Sequence, residues 1–171
     1  MNNEHNEQQD NIPMNSLVLQ EKGELLFQSD IVTRSVVKNL IREAMEGMKR
    51  AYAPYSKLYV GAALLTANEK IYRGCNIENA AYGPTNCAER TALFKAVSEG
   101  EREFAAVAIV GGRNGMITDF CPPCGVCRQS LREFVDPKSF LVILARSEED
   151  YMIYSLEALL PLSFGPDHME G

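Results

Sequence analysis

The 171-residue sequence has no tryptophan, only two histidines and no excess of basic residues. Lysine and arginine together number 17 against 23 aspartates and glutamates, which gives a formal net charge of -6. Nucleic-acid binding needs a basic surface and, for single strands, aromatic side chains on which bases stack. The composition therefore disfavours a nucleic-acid ligand and favours a small substrate.

The two histidines, His5 and His168, each lie within a few residues of a chain end. A Ser–His or Cys–His nucleophilic mechanism needs an imidazole that is held in a rigid pocket. The sequence offers no such imidazole in the middle of the chain. We therefore expect any general base in the core to be a carboxylate.

Long apolar runs are also missing, since none approaches the roughly 18 residues of a membrane span. The first eleven residues, MNNEHNEQQDN, have neither the basic region nor the apolar region of a secretory signal. We expect a cytoplasmic protein, and in that reducing compartment clustered cysteines are more often metal ligands than disulfides. The five cysteines are Cys75, Cys87, Cys121, Cys124 and Cys127.

The pattern of apolar residues predicts one main domain at 31–165, preceded by a partly disordered extension, 1–30, and followed by a short tail, 166–171. Apolar residues at steps of three and four predict a helix from Val32 to Met48. Short apolar runs predict strands at 58–66, 71–75, 104–110, 140–144 and 151–154, and further helices at 87–99, 124–134 and 155–160. This alternation predicts an α/β fold in which helices cover a mixed sheet.

Three of the cysteines lie at predicted helix starts. Cys87 follows the Gly83-Pro84-Thr85 break, and Cys124 and Cys127 follow a double proline. A spacing of three places Cys124 and Cys127 on one helical face. Helix N-termini stabilise negative charge by roughly 0.3–1 kcal/mol each at exposed sites, so they suit thiolates. The three cysteines are therefore candidate ligands of a zinc ion.

The segment CPPCGVC leaves an alternative open, because it contains two overlapping C-x-x-C pairs. The double proline leaves Cys121 on the extended segment before the helix, which favours the second pair. If Cys121 joined the other three cysteines, four sulfurs would close the zinc site and make it structural. Three sulfurs would leave a fourth position for water.

Glu89 lies two residues after Cys87 and favours a catalytic site. A hydrolytic zinc site needs a group that carries protons from the metal-bound water to the substrate, whereas a structural site does not. Positions i and i+2 of an ideal helix point to different faces, so this role requires Cys87 at the irregular first position. The alternative is an ordinary surface glutamate that favours the helix start.

These motifs resemble those of zinc nucleoside deaminases, in which the glutamate is the general acid and base and not a ligand. The two motifs that show this resemblance are C-A-E at 87–89 and P-C-G-V-C at 123–127. Three more segments, GCNIENA (74–80), APYSKLYVGAALLT (53–66) and ERTALFKAVSEG (89–100), resemble cytidine deaminases. The resemblance extends from about residue 32 to residue 165. It implies a three-layer α-β-α sandwich with about five strands and, because three cysteines are the ligands, the small homotetrameric branch.

The resemblance implies hydrolytic deamination of cytidine and 2′-deoxycytidine in pyrimidine salvage, with release of ammonia. It assigns one Zn²⁺ per subunit to Cys87, Cys124 and Cys127, the proton shuttle to Glu89, and a charge-tuning role to Arg90. It assigns substrate contacts to Asn76, Glu78, Ala88, Leu58, Tyr82 and Phe164, with Tyr82 and Phe164 matching segments that neighbouring subunits contribute.

The residues themselves support the expected sugar site. Asn76 and Glu78 follow a predicted strand at i and i+2, which places both side chains on one face. An amide and a carboxylate suit a diol, because the carboxylate accepts two O–H bonds and the amide both donates and accepts. The alternative is a solvent-exposed polar loop.

Two positions depart from the family pattern. Leu58 stands where the family commonly places a phenylalanine against the pyrimidine ring, and Val126 is bulkier than the usual alanine. Base stacking on an aromatic side chain is worth roughly 1–3 kcal/mol, so these departures bear on affinity and substrate preference rather than on the reaction.

Three other readings compete with this one. A blasticidin-type deaminase shares both zinc motifs but should lack the Asn-x-Glu pair. A polynucleotide editor would need a basic surface and stacking aromatics. The third is a non-catalytic binding module that a zinc ion stabilises, which would need no proton carrier. A Glu89 variant that keeps its zinc but loses turnover would exclude this alternative.

Overall fold

The computed structural model describes residues 17–18 and 31–169. Most of the predicted extension, 1–30, lies outside the described residues, as do the last two residues of the predicted tail. Within the described part, elements follow one another in the order that the sequence predicts, with a short strand added before the first helix.

The centre of the protein is a mixed sheet. Its strands are β1 (Leu17–Val18), β2 (Leu58–Thr66), β3 (Ile71–Cys75), β4 (Phe104–Arg113), β5 (Leu141–Ala145) and β6 (Tyr151–Ser155). Their order across the sheet is β1-β6-β5-β4-β2-β3. The β4–β5 pair is parallel and the other neighbours are antiparallel. The five predicted strands are all present, and the two-residue β1 adds a sixth at the edge beside β6.

Helices cover both faces of this sheet, which confirms the predicted three layers. They are α1 (Arg34–Met48), α2 (Ala88–Ser98), α3 (Gly125–Arg132), α4 (Leu156–Leu159) and a 3-10 turn at Pro166–His168. One apolar cluster joins α1 to one face, and a second joins α2, α3 and α4 to the other. No helix in the described part of the chain is long and apolar enough to cross a bilayer.

Successive side chains of β2 point to opposite faces of the sheet, so this strand contributes residues to both apolar clusters. Ala62 and Leu64 face α2, whereas Ala63 and Leu65 face α1. All four side chains are buried, as expected for a strand in the middle of a sheet that is covered on both faces. The functional elements α2 and α3 therefore stand on a rigid support.

Gly74 allows α2 to approach the sheet closely. A Cβ at this position of β3 would lie 2.1 Å from the carbonyl oxygen of Ala88 and 2.5 Å from the backbone N of Ala92. Both atoms belong to the first turns of α2, which cannot move without moving the residues at its start. The absence of a side chain at Gly74 thus fixes the position of the α2 N-terminus.

A second contact fastens the C-terminal segment to α3. Arg132 is buried, and its guanidinium donates hydrogen bonds to the Ser163 hydroxyl at 3.1 Å and to the Asp167 carboxylate. Gly165 lies directly on this guanidinium, since a Cβ there would come within 2.2 Å of the Arg132 Cζ. Gln129 donates to the carbonyl oxygen of Phe164 at 3.0 Å. The segment from Ser163 to His168 is consequently held against α3.

Replacing Gly74 with alanine should destabilise the fold. The added methyl group would overlap backbone atoms of α2, and overpacking of this kind costs about 1–3 kcal/mol. Urea denaturation followed by circular dichroism would measure the free energy of unfolding. Gly83→Ala is the matched control, because a Cβ there meets nothing nearer than the Ala81 carbonyl oxygen at 3.9 Å. Equal unfolding midpoints for the two variants would contradict the close packing of α2 on β3.

Candidate active site

The N-termini of α2 and α3 meet on one face of the sheet. Cys87 is the N-cap of α2 and Cys124 is the N-cap of α3, and both have extended backbone angles. Neither side chain caps its own helix. The first N–H groups of both helices therefore keep their partial positive charge at the point where the two thiols meet.

The sulfurs of Cys87, Cys124 and Cys127 form a compact triangle. The Sγ atoms of Cys87 and Cys124 are 3.8 Å apart, those of Cys124 and Cys127 are 3.5 Å apart, and all three lie within 4.8 Å of one another. Tetrahedral Zn–S bonds of about 2.3 Å place sulfurs about 3.8 Å apart. The triangle therefore fits one zinc ion, and it is the one such ligand cluster among the described residues.

Cys121 does not belong to this triangle. Its side chain packs against the apolar cluster under α2 and α3 and against Gly111, where a Cβ would lie 2.8 Å from the Cys121 Sγ. Burial raises the pKa of its thiol to about 11. A closed site of four sulfurs is thus not formed, and three sulfurs leave a fourth tetrahedral position for another ligand.

The surroundings of Cys87 favour its thiolate form. A hydrogen bond with the buried Cys127 thiol, together with the nearby Arg90, lowers the pKa of Cys87 to about 5. The same hydrogen bond and burial raise the pKa of Cys127. Between these two sulfurs, the surroundings therefore favour negative charge on Cys87, at the start of α2.

Arg90 lies beside this thiolate. Its Nη2 is 3.6 Å from the Cys87 Sγ and 3.5 Å from the Thr85 carbonyl oxygen. Burial opposes its charge, yet hydrogen bonds with Cys87 and Cys127 raise the pKa of the guanidinium. Its Nε atom is buried and has no hydrogen-bond partner among the residues that the structure describes. A half-buried cation next to the sulfur ligands would offset the net negative charge of three thiolates on Zn²⁺.

Glu89 is a buried carboxyl, with only 4% of its surface exposed. It is the second residue of α2. Positions i and i+2 point to different faces only within an ideal helix, and Cys87 is the non-helical N-cap, so the Cys87 and Glu89 side chains can lie on the same side. Burial raises the pKa of Glu89, and the Cys87 charge raises it further. A carboxyl in such surroundings holds its proton more readily, as a group that both accepts and returns protons must.

Glu78 lies on a separate cavity of about 400 Å³, lined by Tyr55, Ser56, Glu78, Asn79, Tyr82 and Thr85. Its carboxylate accepts hydrogen bonds from the backbone N–H groups of Tyr55 at 2.8 Å and Ser56 at 3.2 Å. The Ser56 hydroxyl donates a third. These bonds, the hydroxyl foremost, lower the pKa of Glu78.

Asn76 lies deeper than Glu78 and has 9% of its surface exposed. Its Oδ1 accepts the Val60 N–H at 2.8 Å, and its Nδ2 donates to the Leu58 carbonyl oxygen at 2.8 Å. The amide therefore connects the end of β3 to β2, and its second N–H has no acceptor among the described residues. Asn76 does not line the cavity of Glu78, so the two expected sugar contacts differ in depth.

The other expected substrate residues differ widely in burial. Ala88 is fully buried at the start of α2, and Leu58 packs half-buried against the cluster on the α2 side. Tyr82 and Phe164 instead have 78% and 58% of their surfaces exposed. Tyr82 also has a φ of 57°, a left-handed conformation that is uncommon for a bulky residue. Both aromatic side chains thus project from the single chain.

Two residues at the site were missed by sequence reasoning. The Ser56 hydroxyl binds Glu78 across 22 positions, and Arg132 binds Asp167 across 35. Neither contact has a local sequence signal, since each depends on how a loop returns to a distant element. The buried Gly165 against Arg132 is the one local hint, and a glycine alone does not identify its partner.

Comparison with known proteins agrees with this geometry. The model of the cytidine and deoxycytidylate deaminase zinc-binding region matches residues 34–143. The chain is 47% identical over 133 residues to a cytidine deaminase of Sporosarcina psychrophila, covering 78% of this chain and 94% of that protein. A cytidine deaminase of Halalkalibacterium halodurans is 46% identical over 130 residues, covering 76% of this chain and 95% of that protein.

Solved structures give the same result. The crystal structure of cytidine deaminase from Burkholderia pseudomallei is 46% identical, with a TM-score of 0.67, and the match covers 74% of this chain and 97% of that one. The enzyme from Mycobacterium tuberculosis is 35% identical, with a TM-score of 0.63, covering 74% and 95%. With its paired zinc motifs and its sulfur triangle, this chain belongs to the cytidine and deoxycytidylate deaminase zinc-binding family.

Proposed function

We propose that this protein hydrolyses cytidine and 2′-deoxycytidine to uridine and 2′-deoxyuridine with release of ammonia, as a cytoplasmic enzyme of pyrimidine salvage. The observation that carries the proposal is the triangle of three sulfurs at zinc spacing with the buried carboxyl of Glu89 next to Cys87 and Cys127. Similarity to cytidine deaminases over about three-quarters of the chain supports the substrate.

In this proposal Cys87, Cys124 and Cys127 hold one zinc ion per subunit. Zinc, when bound, lowers the pKa of a water ligand from about 15.7 towards about 7 and so supplies a nucleophile near neutral pH. The N-termini of α2 and α3 stabilise the thiolates, and Arg90 offsets part of their charge. The protein thus keeps an electron-rich ligand set in a partly buried site.

Glu89 carries the protons of the reaction. It accepts a proton from the attacking water and delivers it to N3 of the cytosine ring. It then passes the second water proton to the amino group that leaves C4 as ammonia. Burial supports both steps, because it raises the pKa of Glu89 and so helps the carboxyl to hold each proton between transfers.

The remaining groups orient the nucleoside. The backbone N–H of Ala88, at the positive end of α2, faces the pyrimidine carbonyl, and Leu58 packs against the base. Glu78 and the remaining N–H of Asn76 bind the sugar hydroxyls. Tyr82 and Phe164 complete the site from neighbouring subunits of a homotetramer.

The exposure of these two aromatic residues supports the shared site. The cavity at Glu78 is open in a single chain, and Tyr82, although it lines this cavity, keeps most of its surface exposed and so accessible to a neighbouring copy. Phe164 projects from the segment that Arg132 and Gln129 fasten to α3, and it stacks on His168 at 5.2 Å between ring centroids. Large aromatic side chains fixed in exposed positions suit an interface with another copy of the chain.

Glu89→Gln should retain zinc and lose deamination by about 10²–10⁴-fold, because the amide cannot carry protons while the sulfurs are unchanged. Zinc content and ammonia release from cytidine would be measured on the same samples. The matched control is Glu99→Gln at the exposed end of the same helix. A Glu89→Gln variant that deaminates cytidine as fast as the wild type would show that Glu89 does not carry the protons of the reaction. It would remove the argument against a zinc-stabilised binding module.

Cys124→Ser and Cys121→Ser should behave differently, although the two cysteines lie three residues apart. The first removes a corner of the sulfur triangle and should lower zinc below one ion per chain, with loss of activity. The second alters a thiol outside the triangle and should leave the zinc content at one per chain. Atomic absorption after exhaustive dialysis distinguishes them, and loss of zinc from Cys121→Ser would indicate a closed four-sulfur site.

If active sites are shared, two inactive variants should complement each other. Phe164→Ala removes the contributed aromatic and Glu89→Gln removes the proton carrier, so a mixed tetramer contains some sites with both residues intact. Activity should therefore reappear when the two proteins are unfolded together and refolded, but not when each is refolded alone. Sedimentation showing a fully active monomer would contradict the tetramer.

A further inference from the structure

The loop before β2 wraps around the carboxylate of Glu78. We propose that Ser56 is a positioning residue for sugar recognition, which holds Glu78 in one orientation so that a single acceptor site faces the nucleoside. This inference rests on the proposed function, because it takes Glu78 as the residue that binds a sugar hydroxyl.

The contacts around Glu78 define its orientation. One carboxylate oxygen, Oε2, accepts the N–H groups of Tyr55 at 2.8 Å and Ser56 at 3.2 Å. The other, Oε1, accepts the Ser56 hydroxyl. Both oxygens are therefore held, and rotation of the carboxylate about its axis would break at least one of these bonds.

The Ser56 hydroxyl is itself oriented. Its oxygen accepts the Leu58 N–H at 3.0 Å, so the hydroxyl proton is directed to Glu78. Leu58 begins β2, the strand that packs under the metal face. The hydroxyl thus links the sugar-side carboxylate to the sheet that supports α2.

The loop is fixed from its far side as well. Arg113 donates to the Ser56 carbonyl oxygen at 3.2 Å, and the Asn114 N–H donates to the Lys57 carbonyl oxygen at 2.8 Å. Lys57 has a φ of 57°, which turns the chain so that these carbonyls face the end of β4. Ser56 is consequently presented by a loop that is anchored on two sides.

Counting acceptor sites shows what remains for a substrate. An ionised carboxylate has about four lone-pair sites, and donors within the described part of the chain take three of them. The one that remains belongs to a residue that lines the cavity of about 400 Å³. A carboxylate that is already oriented loses little freedom on binding, so removing Ser56 should weaken substrate binding rather than slow the chemical step.

The test compares two nucleosides in two variants. Ser56→Ala should raise KM for cytidine about tenfold, as expected for the loss of a hydrogen bond to a charged group, with a smaller effect on kcat. For 2′,3′-dideoxycytidine, which has no hydroxyl at either ring carbon that Glu78 could bind, KM should change by less than about twofold. Ser56→Thr keeps a hydroxyl at an exposed position and should restore most of the affinity for cytidine.

A double-mutant cycle tests whether Ser56 acts through Glu78. In a Glu78→Ala background the further change Ser56→Ala should leave KM for cytidine unchanged, because no carboxylate remains to be oriented. Ser98→Ala is the matched control, since that hydroxyl, at the exposed end of α2, donates to the Lys95 carbonyl oxygen, far from Glu78 in the chain. The unfolding midpoint of each variant is measured alongside.

Three outcomes would overturn the proposal. They are an unchanged KM for cytidine in Ser56→Ala, an equal rise in KM for both nucleosides, and additive effects of the two changes in the cycle. Equal or additive losses would show that Ser56 only supports the loop. A wild-type protein that releases no ammonia from either nucleoside would instead reject the proposed function, and that result is visible before any variant is made.

Discussion

The site depends on the meeting of two helix N-termini over one sheet. Because Cys87 and Cys124 occupy the N-cap positions of α2 and α3, their thiols lie where the unpaired N–H groups of both helices concentrate positive charge. The sheet holds this arrangement, since Gly74 lets the first turns of α2 lie directly on β3. A sulfur triangle of zinc dimensions follows from backbone packing rather than from side-chain adjustment.

Burial then sets the chemistry of the groups around the sulfurs. Glu89 and Cys127 are buried and Arg90 is half-buried, and burial acts on each group differently. Burial favours the protonated carboxyl of Glu89, whereas the thiolate of Cys87 keeps Arg90 charged. A carboxyl that holds its proton more readily and a charged guanidinium therefore lie next to each other in the first turn of α2.

Two loops extend this centre towards a substrate. The segment around Ser56 orients Glu78, the proposed sugar contact, and the segment around Phe164 is held against α3 by Arg132. Both are held by hydrogen bonds between residues distant in sequence, and both end at an open surface of the single chain. The rigid parts of the site therefore belong to one subunit. In the proposed tetramer, neighbouring copies cover the open side of the site.

The sequence by itself determined the element order, the α/β fold and the family, because apolar periodicity and the C-A-E and P-C-x-x-C motifs are local signals. It also favoured Cys124 with Cys127 over Cys121, since a double proline keeps Cys121 off the helix. Only the tertiary structure decided that Cys121 packs into the core, that Asn76 is tied to β2, and that Ser56 and Arg132 hold distant residues. The hydrogen bonds of this kind join residues that are 16 to 35 positions apart in the sequence, and no local sequence pattern predicts which of them will meet.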